Sequence, residues 1–232
     1  QDSVKDLGVL LTADLRWTPH IRSIAKKATS MSAWVFSVFQ SRSTEAMLTL
    51  YKSMVRSHLE YCCPLWNPSK IGDIQILEAV QRSFTSRIHG FQHLDYWQRL
   101  KALNLMSLQR TRERYILVMM WKCLNRHCPN SLNIGFKFNE RKGNVALLPQ
   151  LVKESPARFQ TCYDASFAVL GPKLWNTLPK QINMIEYFGA FKDALTNYIL
   201  QIPDLCLEWY HRTTTLCSSG TQMRPARRPV VT

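Results

Sequence analysis

Apolar residues recur at steps of three and four along most of this chain, the spacing that lines one face of an α-helix. Ile21, Ile24, Ala28, Met31, Val35 and Val38 mark a first helix. Thr18 offers a capping hydroxyl before it, and Pro19 suits its first position. Met47, Leu50, Tyr51, Met54, Val55, His58 and Leu59 mark a second helix from Thr44 to about Cys62. Ser43 or Thr44 can cap it, Glu45 sits in its first turn, and Pro64 enforces its end. Leu65, Trp66 and Pro68 follow as an apolar knot that needs cover. Ile74, Leu77, Val80, Phe84 and Ile88 line a third helix, capped within residues 69–73, with Gly90 just past its end. Asp95 caps a short helix that Asn104 ends. Ser107 caps the next, with Ile116, Met120, Cys123, Leu124 and His127 on one stripe and Pro129 as its stop.

Elsewhere the pattern changes. Residues 4–11 read as a short strand. Residues 129–165 lose periodicity and are rich in Asn, Gly and Pro, as in a long loop with at most short extended pieces. Phe167 to Pro179 is compact and apolar around Trp175. Phe188, Phe191, Leu195, Ile199 and Ile202 point inward from a last helix over 186–202. The predicted fold is therefore mainly α. A helical bundle spans about 13–128, an irregular linker 129–165, a small helical cap 166–202 and a flexible basic tail 203–232. No repeat occurs at a solenoid period.

Composition agrees with helices. Gly is scarce (8) beside Trp (7) and Met (8), and 46% hydrophobic content is enough for a core. The charge changes the picture more. A formal net charge of +14, spread along the chain rather than held in a tail, calls for an anionic partner. Nucleic acid is the expected one; an anionic membrane or no specific partner are the alternatives. Seven cysteines without regular spacing make no disulfide framework and imply an intracellular setting, nuclear or cytoplasmic. No apolar run has the length of a membrane span, and no signal peptide opens the chain.

Most chemistry-bearing patterns are missing. Asp2, Asp6 and Asp14 are close in sequence but lack a paired-aspartate motif, and read as turn residues rather than a two-metal centre. Cys62 with Cys63, and Cys123, His127 and Cys128, do not supply four ligands at zinc spacing. His89 and His93 straddle Gly90, with no adjacent glutamate for a zincin motif. No glycine-rich phosphate loop and no local catalytic triad are present. The chain is thus expected to have no catalytic residues, metal or cofactor, and no small-molecule substrate. The tryptophans Trp17, Trp34, Trp66, Trp97, Trp121 and Trp175 are expected in the core rather than as base-stacking platforms.

Basic residues on helix sides away from the core stripes remain. Arg22, Lys26 and Lys27 decorate the first helix, Lys52 and Arg56 the second, Arg82 the third, and Arg110, Arg112 and Arg114 the helix after Ser107. Aligned on neighbouring helices, such faces form a surface that neutralises phosphates without reading bases.

Five segments in order carry a resemblance: LGVLLTADLRWTPHIRSIAKKA, LYKSMVRSHLEYCCPLWNP, LEAVQRSFTSRIHG, DYWQRLKALNLMSLQRTRERYILVMMWK and GPKLWNTLP followed by FGAFKDAL. Over about residues 5–200 the chain resembles the C-terminal part of non-LTR, LINE-type retrotransposon reverse transcriptases of the jockey-like group. In that family fingers and palm precede this region, and the palm carries metal-binding aspartates in a YADD-type motif that does not occur here. The resemblance implies that residues 1–12 follow a missing palm and that the chain is a piece of something longer. It implies a thumb from Pro19 to about Gly90, with a post-polymerase segment after it. Its implied partners are RNA, DNA or an RNA–DNA duplex, and the upstream palm and fingers. Magnesium would belong to that palm, and polymerase activity is not expected of this chain alone. The alternative is a non-catalytic helical protein-interaction module from a domesticated or decayed retroelement, whose basic faces only solubilise it.

Overall fold

The computed structural model describes residues 3–125, 127–128, 137–141, 144–148 and 166–202. The chain is mainly helical, as its periodicity predicts. Strands β1 (Ser3–Asp6) and β2 (Val9–Thr12) pair antiparallel, with Asp6 opposite Val9. The single strand expected over 4–11 is therefore a hairpin. Leu7 (φ 42°) and Gly8 (φ 88°) form its turn. Leucine rarely adopts such a φ, so the usual Asn-Gly signature of this turn is absent from the sequence.

Helix α1 (Thr18–Val38) starts where the Thr-Pro pair places it. The Thr18 hydroxyl does not cap it, however; it donates to Asp73 Oδ2 at 2.7 Å in the first turn of α4 (Ile71–Thr85). Phe36 near the other end of α1 packs on Phe84 near the end of α4, with ring centroids 4.7 Å apart. The two helices therefore run parallel, side by side. Between them the chain returns through α2 (Thr44–Leu50), a π-helical turn (Tyr51–Val55) and α3 (Arg56–Glu60).

The π turn has a readable cause. Met47, Tyr51, Val55 and Leu59 are all fully buried and lie four residues apart. In an ideal α-helix, steps of four drift by about 40° each. A wider π turn cancels that drift and keeps all four on one line toward the core. Ser53 and Thr49 hydroxyls bond back to the carbonyls of Thr49 and Glu45, which eases the loosening. After α3, Cys62 turns at φ 56°. The following knot is covered only in part. Trp66 is buried and donates Nε1–H to Tyr61 O at 2.8 Å, whereas Leu65 is exposed.

Helices α5 (Tyr96–Ala102) and α6 (Leu108–Leu124) begin at the expected caps. Asp95 and Gln98 form a reciprocal capping box, and Ser107 Oγ accepts from Arg110 N–H at 3.2 Å. Asn104 ends the α5 segment at φ 50°. A buried polar chain ties four helical elements. Tyr51 OH donates to Gln81 Oε1 and Gln81 Nε2 donates to Tyr96 OH at 3.0 Å, while Tyr96 OH donates to Glu78 Oε2. Glu78 Oε1 in turn accepts from Gln109 N–H at 3.0 Å in the first turn of α6, where a negative charge is favoured. Burial, then Glu78, pushes the Tyr96 phenol far up.

Past α6, residues 137–141 (β3) and 144–148 (β4) pair as an antiparallel hairpin inside the expected linker. Helices α7 (Phe167–Thr177), α8 (Lys180–Asn183) and α9 (Phe188–Gln201) build a second core with α6. Trp121 centres it, stacked on Phe191, tilted against Phe188 and donating Nε1–H to Ile185 O at 2.8 Å. Trp66, Trp121 and Trp175 are buried; Trp34, expected in the core, is 47% exposed. The predicted tail over 203–232 lies outside the described residues, and α6 stops at Leu124, ahead of Pro129, so His127 lies beyond the helix. No helix among the described residues is long and apolar enough to cross a membrane.

Candidate nucleic-acid interface

The nine predicted phosphate contacts do not share one surface. Arg22 and Lys26 do come together. They lie one turn apart on α1 and wall an open groove of about 420 Å³ between α1 and α4. The rest of the lining is mostly short side chains, Ala25, Thr29 and Ser32 from α1 and Ala79 and Ser83 from α4, with the branched Ile76 and Val80 of α4 beside them. Short side chains let a foreign backbone approach closely, and the Thr29 and Ser83 hydroxyls can donate to phosphate oxygens. Arg22 and Lys26 are both exposed, and among the described residues neither is ion-paired with a carboxylate.

The other candidates are dispersed. Lys27 is exposed but faces α3, where burial first and Lys27 second lower the pKa of His58. Lys52 is exposed on the π turn. Arg56 pairs with Glu60 four residues on, and Glu60 also accepts from Tyr115 OH at 3.0 Å, which fastens α3 to α6. Arg82 is exposed and lies 4.8 Å from the Tyr96 ring centroid, so it turns toward α5 rather than into the groove.

The three arginines of α6 depart most from expectation. Arg110 pairs with Glu113 at 2.8 Å, and Arg114 Nε donates to Thr196 Oγ1 on α9 at 2.9 Å. Arg112 is 1% exposed and cannot reach a duplex, which corrects its place among the phosphate contacts. The reason is geometric. Residues 110 and 114 share a helical face, but 112 lies nearly opposite them. Arg112 sits four residues from both Leu108 and Ile116, and with Met120 these form a fully buried line. That spacing was a signal in the sequence.

Two arginines outside the predicted set occupy notable positions. Arg42, after α1, and Arg87, after α4, both lie over the Phe36 ring, 4.7 Å and 5.1 Å from its centroid. Arg87 follows Ser83 by four residues, so it continues the groove-facing row of α4.

The thiol and imidazole candidates for metal are placed otherwise. Cys62 is exposed while Cys63 is buried, and burial pushes the Cys63 thiol up to about 12. Cys123 and Cys128 bring their sulfurs to 3.5 Å, and burial followed by Cys128 pushes the Cys123 thiol up to about 12. His127 stacks flat on Trp121, with ring centroids 5.2 Å apart. Among the described residues no group of three or more His, Cys, Asp or Glu is placed to hold a metal ion.

Comparison with known proteins adds little chemistry. No family model matches the chain. It is similar to an uncharacterized protein of Caenorhabditis elegans, 26% identical over 66% of this chain and 83% of that protein. No solved structure matches it.

Proposed function

We propose that this chain grips a nucleic-acid duplex by its backbone, as the thumb and post-polymerase part of a non-LTR-type reverse transcriptase, with the catalytic aspartates supplied by a palm outside it. The observation that carries this reading is the α1–α4 groove. Its two cations are exposed and not ion-paired with any carboxylate among the described residues, and the Thr29 and Ser83 hydroxyls line it beside them. The +14 net charge supplies the long-range attraction. Such a role belongs in the nucleus or cytoplasm. The deciding experiment is binding of a labelled RNA–DNA hybrid by the purified chain, followed by anisotropy from low to physiological salt. Affinity should fall steeply and linearly on a log–log plot. Absence of binding to RNA, DNA or hybrid at low salt would sink the reading.

The contact with an upstream palm and fingers that this reading includes draws on a different observation. The β1–β2 hairpin exposes Val4 and Leu7, the latter by 83%, beside exposed Tyr61, whose OH donates to Leu7 O at 3.0 Å. This apolar surface suits a protein neighbour such as a preceding polymerase domain. Co-purification of the chain with fingers and palm expressed separately, and its loss in Leu7→Asp, would support that contact.

A further inference from the structure

We propose that Arg42 and Arg87, gathered around the Phe36 ring, form a second phosphate-binding station at the far end of the α1–α4 groove. The proposal rests on the nucleic-acid reading above and extends it to residues outside the basic helix faces read from sequence.

Position comes first. On α1 the groove-facing residues Ala25, Thr29 and Ser32 are followed, at the next step of four, by Phe36. On α4 Ala79 and Ser83 are followed in the same way by Arg87. Because α1 and α4 run parallel, both rows arrive at the same end, opposite Arg22 and Lys26. The chain leaving α1 brings Arg42 back to that point.

The cluster is built rather than incidental. Arg42 donates Nη1–H to Phe39 O at 2.7 Å and Nη2–H to Phe36 O at 2.8 Å, which holds its guanidinium still against the ring. A guanidinium has five N–H donors, so others remain for a ligand. Arg87 is exposed and reaches the same ring. Among the described residues, neither arginine forms an ion pair with a carboxylate. Two cations are thus held at one ring, 4.7 Å and 5.1 Å from its centroid, and neither charge is offset by an ion-paired acid among the described residues. Phosphate oxygens at this end of the groove would supply the missing negative charge and accept from the free N–H donors of either fork.

The distance between the stations defines the ligand. From Arg22 to Phe36 is fourteen residues of α1, or about 21 Å at the helical rise per residue. That span exceeds a single nucleotide, so the two stations contact different phosphates of one polymer. A free phosphate or mononucleotide would engage one station at a time.

Arg87→Gln is the informative variant, because among the described residues the Arg87 side chain makes no hydrogen bond to the backbone that would confound folding; the full chain is used throughout. Anisotropy is measured with a twelve-base-pair RNA–DNA hybrid in parallel with Arg22→Gln/Lys26→Gln and the combined variant. The expected result is that Arg87→Gln lowers the salt slope by about one, with an unchanged urea midpoint, and that its loss adds to that of the Arg22/Lys26 pair. A wild-type slope in Arg87→Gln, with a reduced slope in Arg22→Gln/Lys26→Gln, overturns the station and leaves the groove reading intact. If the wild-type chain binds no nucleic acid, the functional reading fails first. The station then stands or falls on whether inorganic phosphate shifts the Nε–Hε resonances of Arg42 and Arg87 in NMR; unmoved resonances overturn it.

Discussion

Helices α1 and α6 carry similar basic clusters, Arg22, Lys26 and Lys27 on one and Arg110, Arg112 and Arg114 on the other, yet the fold treats them oppositely. Helix α1 packs against α4 and α3 and leaves its basic side in solvent. Helix α6 lies between two cores: Leu108 belongs to the first, and Leu117, Met120 and Trp121 to the second. With so much of its surface covered, its arginines become fasteners to Glu113 and Thr196 or are buried outright. A cation's availability to a ligand is set by what packs on its helix, not by its distance from the most obvious apolar stripe.

The sharpest way to break this comparison is Arg112→Ala. Removing a side chain of that size from a fully buried position should cost about 3 kcal/mol of unfolding free energy. Urea denaturation followed by tryptophan fluorescence measures it, and duplex affinity of the folded variant should match wild type. Normal stability with weakened binding would put Arg112 back on the surface.

Arg22→Ala/Lys26→Ala should do the reverse. The salt slope for hybrid binding should fall by about two, one for each lost phosphate contact. Stability should stay within about 0.5 kcal/mol, as expected for exposed, unpaired side chains.

Arg110→Ala/Arg114→Ala sharpens the same contrast from the α6 side. Loss of an i,i+3 ion pair and of one hydrogen bond to α9 should cost about 1 kcal/mol. The salt slope should change by less than about one, and a larger drop would mean that these arginines leave their partners to meet a duplex.

The smallest effect concerns the start of α1. His20 is buried against Trp66, and its Nδ1 accepts from Leu10 N–H at 3.2 Å. Burial lowers its pKa below the ordinary 6.5. The unfolded chain therefore takes up a proton that the folded chain refuses. His20 contributes full stability above pH 6.5 and loses it progressively as pH falls from there through its lowered folded-state value. His58, lowered by burial and by Lys27, acts in the same direction. A pH series of urea midpoints should show a shallower acid-side decline in His20→Gln than in wild type.

Much of the fold was legible along the chain. Every core position predicted for α4 is buried, and the caps at Asp95 and Ser107 form as read. Trp34 shows where a compositional expectation fails, since a large apolar side chain is often left partly exposed. The basic surface was legible only in part. Arg22 and Lys26 share a groove because they lie one turn apart on one helix. Arg112 was misplaced because the stripe through Ile116 and Met120 continues backward, by steps of four, to Arg112 and Leu108, and its basic side chain hid that continuation.

What the sequence by itself determined is local. Helix spans, the caps at Asp95 and Ser107 and the positive-φ turns at Gly90 and Asn104 depend on partners three or four residues away, and such interactions are written directly in residue order. What the tertiary structure decided is non-local. Thr18 meets Asp73, Glu78 reaches α6, the π turn brings Tyr51 into line with Gln81, and Arg87 reaches the same Phe36 ring as Arg42. These contacts join residues tens of positions apart. They follow from which helix faces cover one another, and a one-dimensional pattern of apolar and charged residues does not specify that pairing.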